Sequence, residues 1–278
     1  MGFYDFDFIE WILLLVSGIL TVRFLLRWYR FGFGVRKIKS GISGRTLLRL
    51  LPVCALIIIL YTLNTLASFD VVDSFAYKLL YALIGVAWLN LGMFLMFYLL
   101  DISWIDDALN MHNPAAALTI FGGGMGLTLI YAGANVGDGP GWWCVFLAGG
   151  LGLIAYFALC MIANSITKAF RRITVDRDVL CAVRTGAYTA SSGIILARAC
   201  AGDWTSFSMT VIEFGVGWPA LILTAAFVLF EVMFSAFEKR EEHIGNAEKW
   251  FLTLLLGAAY ITAAIYVVYM LPSLFVYL

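Results

Sequence analysis

The chain has 278 residues, of which 63% are hydrophobic and 13% charged, with a mean hydropathy of +0.93. No soluble domain of this length has enough interior to hide that much apolar surface, so composition excludes one and predicts a polytopic membrane protein. Lys and Arg balance Asp and Glu at 18 each, which removes any global attraction to nucleic acid.

A helix needs about 20 apolar residues to cross the hydrocarbon, whereas a barrel would show alternating strands of roughly ten. The apolar segments have helix length and predict an all-α membrane bundle of about eight transmembrane helices, built from repeated helical hairpins. They run Phe8–Trp28, Leu47–Ser68, Ala76–Leu100, Pro114–Gly133, Trp142–Ile166, Val179–Ala201, Trp218–Phe237 and Lys249–Tyr269. The stretch before the first span, MGFYDFDFIEW, is acidic and lacks the basic n-region of a signal peptide. Position 6 is Phe, not the Ser or Thr of a myristoylation signal.

The first loop is the most basic part of the chain. Arg27, Arg30, Arg36, Lys37, Lys39 and Arg45 stand there among aromatic residues. Positive-inside topology accounts for them, and binding of anionic lipid headgroups or an acidic cytoplasmic partner is the second reading. Asn90, mid-way along the third span, is expected to hydrogen-bond between helices. Asp106 and Asp107 fit the first turn of a helix, where the dipole favours acids. A metal site joining them to His112 is the alternative.

The fourth span has a marked start and stop. In HNPAAALTIFGGGMGLTLIYAGANVGD, Asn113 is a good N-cap and Pro114 fits the first helical position. Gly137-Asp138-Gly139-Pro140 then ends the helix. Gly122/Gly126, and Ala148/Gly152 in the fifth span, are small-xxx-small pairs that let helices approach closely, within the chain or in an oligomer. Lys168, Arg171, Arg172 and Arg177 fill the next loop. Asp178 opens the sixth span, where Arg184 is expected to snorkel to the surface. Arg198 and Glu213 are placed to pair at the far end. Glu231, in FVLFEVMF of the seventh span, is a charge inside the bilayer and so a functional-site hypothesis by default. Lys239, Arg240 and His243 precede the last span, which Asn246 opens.

Basic loops follow spans one, five and seven, while the opposite connections hold Asp70, Asp73, Asp138 and Asp203. The basic side is therefore expected in the cytoplasm and both termini outside. A shift of 65 residues superposes Ala117 on Ala182, Ala132 on Ala197, Ala134 on Ala199, and Gly137-Asp138 on Gly202-Asp203. A third copy begins at Gly245-Asn246-Ala247 and a faint one at Ser43-Gly44. Gly-Pro-Gly141-Trp142 and Gly-Val-Gly217-Trp218 each open an odd span. The unit is a helical hairpin, four of them make the chain, and residues 1–138 and 139–278 form two four-helix halves.

Asn113-Pro114-Ala115-Ala116-Ala117 with Gly122, and Asp178-Val-Leu-Cys-Ala182 with Gly186, resemble the start of an even helix in the YjfL-like bacterial inner-membrane family, a domain of unknown function. The chain looks like a tandem or extended form, best matched from about Trp104 to Trp204, with Asp178 departing from the family's Asn. The resemblance implies an inner-membrane location and a link to membrane stress or the envelope. It implies no activity.

No catalytic motif is present. Gly-x-Ser-x-Gly, His-Glu-x-x-His and phosphate loops are missing, and the Gly-Gly-Gly of span four has no Lys-Ser/Thr after it. Cys54, Cys144, Cys160, Cys181 and Cys200 are widely spaced and read as small packing residues. Neither His112 nor His243 lies within a span, as haem ligation would want. The expectation is a non-enzyme without cofactor or metal. It sits in the bilayer as a homo-oligomer or in a membrane complex, as a scaffold or sensor for a cytoplasmic protein partner. An ion channel or small-solute transporter, resting on the repeats and Glu231, and a subunit of a larger complex are the alternatives.

Overall fold

A computed structural model describes residues 3, 6–34, 44–239 and 245–271. Arg36, Lys37, Lys39, Ser43, Arg240 and His243 lie outside the described residues. The protein is all-α, and eight of its helices are long and apolar enough to cross a membrane. In chain order the helices are α1 (Phe8–Gly34), α2 (Gly44–Thr65), the short α3 (Phe69–Val72), α4 (Phe75–Leu100), α5 (Pro114–Ala134), α6 (Trp142–Thr167), the short α7 (Ala169–Thr174), α8 (Val179–Cys200), α9 (Phe207–Phe214), α10 (Pro219–Lys239) and α11 (Asn246–Met270). A π-helical segment, Trp104–Asn110, lies between α4 and α5.

The spans form two rows. The second helix of each hairpin, α2, α5, α8 and α11, packs beside the next in that order, and α1, α4, α6 and α10 line up as a second row. Between the rows the contacts zigzag, from α1 to α2, to α4, to α5, to α6, to α8, to α10. Each hairpin thus touches mainly its neighbours, as in a stacked array. The core sits where α5 meets α8, the helix pair with the most extensive contact among the described residues.

Glycines make that approach possible. A Cβ at Gly122 would lie 2.3 Å from the carbonyl oxygen of Gly186, one at Gly193 2.2 Å from the Cα of Gly126, and one at Gly133 2.1 Å from the carbonyl oxygen of Ala197. The two helices run parallel, backbone against backbone. Gly152 meets Cys200 and Ile130, and the Cys200 thiol donates to the Ala148 carbonyl oxygen at 3.2 Å. All four small-xxx-small residues therefore pack within the chain.

The helix starts follow the sequence in two cases and depart from it in a third. Asn113 Oδ1 accepts from the amides of Ala115 (3.0 Å) and Ala116 (3.3 Å). Its Nδ2 donates to the Ile173 carbonyl oxygen at 2.8 Å, tying α5 to the end of α7. Asp178 Oδ1 accepts from the Cys181 amide at 2.9 Å. Asn246, however, is the first helical residue and not the cap. Gly245 holds that position, and Glu248 reaches back to accept from its amide at 3.2 Å. Glu248 thus satisfies the cap residue's own amide, while no side chain caps the first-turn amides that Asn246 was expected to hold.

The two central hairpins share a sequence of backbone states. Asp101 ends α4 and Lys168 ends α6, both left-handed, with φ of 53° and 54°. A short helical segment follows each. His112 and Arg177, 65 residues apart, are then left-handed immediately before the caps Asn113 and Asp178. At the far end the pairing is direct: the Asp138 amide donates to Asp203 Oδ1 at 2.7 Å, and the Trp204 amide to the Asp138 carbonyl oxygen at 2.7 Å.

Candidate functional site: a buried charge cluster

Glu231 stands on α10 in an apolar stretch, and a charge there must find a partner or pull water inward. It is 1% exposed. Its carboxylate accepts from both edges of the Arg184 guanidinium: Nε to Oε1, and Nη2 to Oε2 at 3.0 Å. Arg172 Nη1 donates to the same Oε2 at 3.1 Å, and Arg172 Nη2 donates to Asp178 Oδ2 at 2.6 Å. Arg184 Nη1 also donates to Thr253 Oγ1 on α11 at 2.9 Å, while its guanidinium lies 4.2 Å from the Phe234 ring centroid. Two cations and two carboxylates therefore neutralise one another across α7, α8, α10 and α11.

The geometry explains why these residue types are present. A forked guanidinium can meet one carboxylate bidentately and still donate elsewhere, which an ammonium cannot do. Asp178 combines two tasks. One oxygen caps α8, and the other takes the Arg172 charge. An Asn there would cap equally well but leave Arg172 with a neutral acceptor.

Two expectations are corrected. Arg184 does not snorkel: it is 1% exposed and bound to Glu231, because its partner lies inside the bundle. Arg172 is not an open basic group at the surface, since its guanidinium is drawn inward by Glu231 and Asp178 and its side chain is only 15% exposed. The roles of Arg172, Asp178 and Thr253 in the cluster were missed by sequence reasoning. One signal pointed there. An acid and an arginine both stood inside spans towards the basic end, and each required the other.

Beyond the cluster, α8 presents further polar groups to α10 and α11. Tyr188 Oη and Thr224 Oγ1 are 2.9 Å apart, and the Tyr188 ring stacks on Phe227 with centroids 4.3 Å apart. The buried hydroxyls of Ser191 and Tyr260 have no hydrogen-bond partner among the described residues.

The other sequence candidates are dispersed. His112 is exposed, and its Nε2 lies 2.6 Å from Arg45 Nη2. Arginine is no metal ligand, and no group of three metal-ligating side chains occurs among the described residues. Asp106 and Asp107 do open a helical turn, where Ser103 Oγ accepts from the Asp106 amide and Asp107 Oδ2 accepts from the Ser103 amide at 2.7 Å. Glu213 lines a small cavity of about 60 Å³ at the far end with Asp138 and Asp203, and Arg198 sits in the last turn of α8. Arg171 is exposed. Asn90 makes no helix–helix hydrogen bond among the described residues. It lines an open groove of about 650 Å³ with Arg27 and Arg30, which are exposed there. No family model, curated protein or solved structure matches the chain.

Proposed function

We propose that the chain is a non-catalytic, multi-pass protein of a bacterial inner membrane, a repeat-built scaffold or sensor that presents its basic end to cytoplasmic partners and works as an oligomer. The observation that carries this reading is the closure of the charge cluster. Arg184 and Glu231, inside α8 and α10, are spent on one another, and the central helix pair is packed backbone on backbone. Such an arrangement fixes helices in one register and leaves no bare charge at the cluster for a passing ion. The matching backbone states of the two central hairpins favour the repeat, and the positive-inside rule favours a cytoplasmic basic end with both termini outside. The resemblance to the YjfL-like family adds the link to membrane stress.

The test is purification from native membranes in mild detergent, with the particle mass and the co-eluting proteins measured. A stoichiometric cytoplasmic companion on an oligomer of this chain is the expected result. A homo-oligomer with no companion would sink the scaffold reading.

Transport is the second reading, favoured by the unpartnered Ser191 and Tyr260 hydroxyls beyond the cluster, since buried polar groups without partners often mark sites that water or a solute reaches. The pair Arg184→Met with Glu231→Met removes both charges together. Flux through wild-type liposomes that is lost in this variant with normal assembly would establish transport at the cluster, and no flux through wild type would remove the reading. Membership of a larger complex, the third reading, would appear as a membrane-embedded companion in the same purification.

A further inference from the structure

Between Glu10 and Asp70 the sequence holds no acidic residue, yet it carries Arg23, Arg27, Arg30, Arg36, Lys37, Lys39, Arg45 and Arg49. Arg49 is occupied. Its Nε and Nη2 donate to the Gly32 carbonyl oxygen at 3.0 and 2.7 Å. Arg23, Arg27 and Arg30 differ. Spaced four and three residues apart, they fall on one face of α1, and all three are exposed. No acidic side chain pairs with any of them among the described residues. They line the groove of about 650 Å³ between α1 and α4, with Asn90 on its α4 side, Trp104 at its basic end, and apolar wall from residues such as Leu20.

Depth makes the arrangement unusual. Arg30 lies near the basic end of α1, and Arg23 lies seven residues, about 10 Å, further into the span. Trp28 is buried on the neighbouring face, its ring stacked on Trp104 with centroids 4.2 Å apart, and its Nε1 donates to the Leu48 carbonyl oxygen at 2.8 Å. That anchoring fixes the rotation of α1, so the arginine stripe must face the groove. Three guanidiniums without an acidic partner among the described residues, running along a membrane-length helix, call for an anion from outside the chain.

We infer that this groove is a binding site for an anionic phospholipid, with the headgroup phosphate held by Arg27 and Arg30, Arg23 and Asn90 meeting polar atoms further in, and an acyl chain along the apolar wall. Guanidinium forks suit phosphate oxygens, and the amphipathic lining suits a molecule with a charged head and an apolar tail better than it suits a soluble anion. The inference is independent of the scaffold reading, because it holds whatever the basic end recruits.

The test uses the full chain purified in mild detergent. Bound lipid is measured by native mass spectrometry, and thermal stability is followed on adding phosphatidylglycerol, phosphatidylcholine or inorganic phosphate. Wild type is expected to retain phosphatidylglycerol and to be stabilised by it alone. Arg23→Gln with Arg27→Gln and Arg30→Gln is expected to weaken that retention at least tenfold, whereas Arg171→Gln with Arg177→Gln leaves it unchanged. If the triple variant does not assemble, Leu20→Trp keeps every charge while crowding the groove and should also weaken retention. Equal retention by wild type and either groove variant would overturn the site. Equal stabilisation by inorganic phosphate would assign it to a soluble anion. An acidic membrane protein that co-purifies with wild type and is lost from the triple variant would assign the groove to a partner helix.

Discussion

At the scale of single residues, the cluster around Glu231 sets the sharpest expectations. Breaking a buried pair leaves the surviving charge uncompensated and costs about 3–5 kcal/mol, while replacing both members with apolar groups is often neutral. Glu231→Gln is therefore expected to lower the thermal midpoint in detergent sharply, and Arg184→Met with Glu231→Met to recover most of the loss. Equal midpoints for the single and paired variants would show that Glu231 is not held by Arg184. Asp178 separates its two tasks in the same assay. Asp178→Asn retains a cap acceptor for the Cys181 amide and loses only the ionic contact with Arg172, whereas Asp178→Ala loses both, by about 1 kcal/mol more. Asp107 gives a pH dependence. Burial raises its pKa above the usual aspartate value, assisted by Asp101 and Asp106 and opposed by the Ser103 amide. A raised carboxyl favours the protonated folded form, so its contribution is present below the ordinary aspartate value and is lost as pH rises through the raised one. Asp107→Asn keeps an oxygen for Ser103 and should flatten the midpoint over that window. An unchanged pH profile would remove Asp107 as the cause.

At the scale of elements, the glycines of α5 and α8 decide how close two helices come. At Gly122, Gly133 and Gly193 an added Cβ would fall within 2.3 Å of the neighbouring backbone, which cannot rotate away as a side chain can. Gly122→Ala should cost at least the 1–3 kcal/mol, roughly, of an overpacked core, and Gly122→Leu should prevent assembly. Gly150 on α6 has nothing within 4 Å of a built Cβ, so Gly150→Ala is expected to be neutral or to gain up to about 1 kcal/mol from helix propensity. Similar melting temperatures for the two alanine variants would mean that α5 and α8 do not touch at Gly122. The helices themselves were legible in the sequence. Apolar length gave all eight spans, seven of them within three residues at each end and the first ending six residues short of Gly34, and Asn113 and Asp178 cap as their side chains allow. What the sequence withheld was depth and rotation. Apolar residues surround these helices on every side, so no periodicity says which face is buried. Arg184 therefore read as a snorkelling arginine when it is the partner of Glu231, Arg172 read as a surface charge when it faces inward, and Asn90 read as helix glue when it borders an open groove. Arg23 was passed over altogether, although its spacing from Arg27 and Arg30 was the signal.

At the scale of the whole molecule, two rows of helices stacked hairpin by hairpin explain why α5 and α8 are heavily buried while α1 and α11 are not. Interior members of an array have a neighbour on both sides and terminal members on one. The same order places every described basic connection at one end of the array and the Gly-Asp turns, held together by the Asp138–Asp203 contact, at the other. Orientation then has one answer for the whole chain, because no hairpin can invert without breaking its contacts with the next. On the proposed reading the Lys and Arg bias puts the basic end in the cytoplasm. A reporter enzyme that works only outside the cytoplasm should be active when fused after Leu278, and a fluorescent protein that matures only in the cytoplasm should be dark at the same position. Inserted between α6 and α8, the two should exchange behaviour. The opposite pattern at both sites would invert the array, turn the basic end away from the cytoplasm and remove the scaffold reading. It would leave the lipid groove intact but move it to the other leaflet, so the lipid-retention measurement and the topology measurement succeed or fail separately.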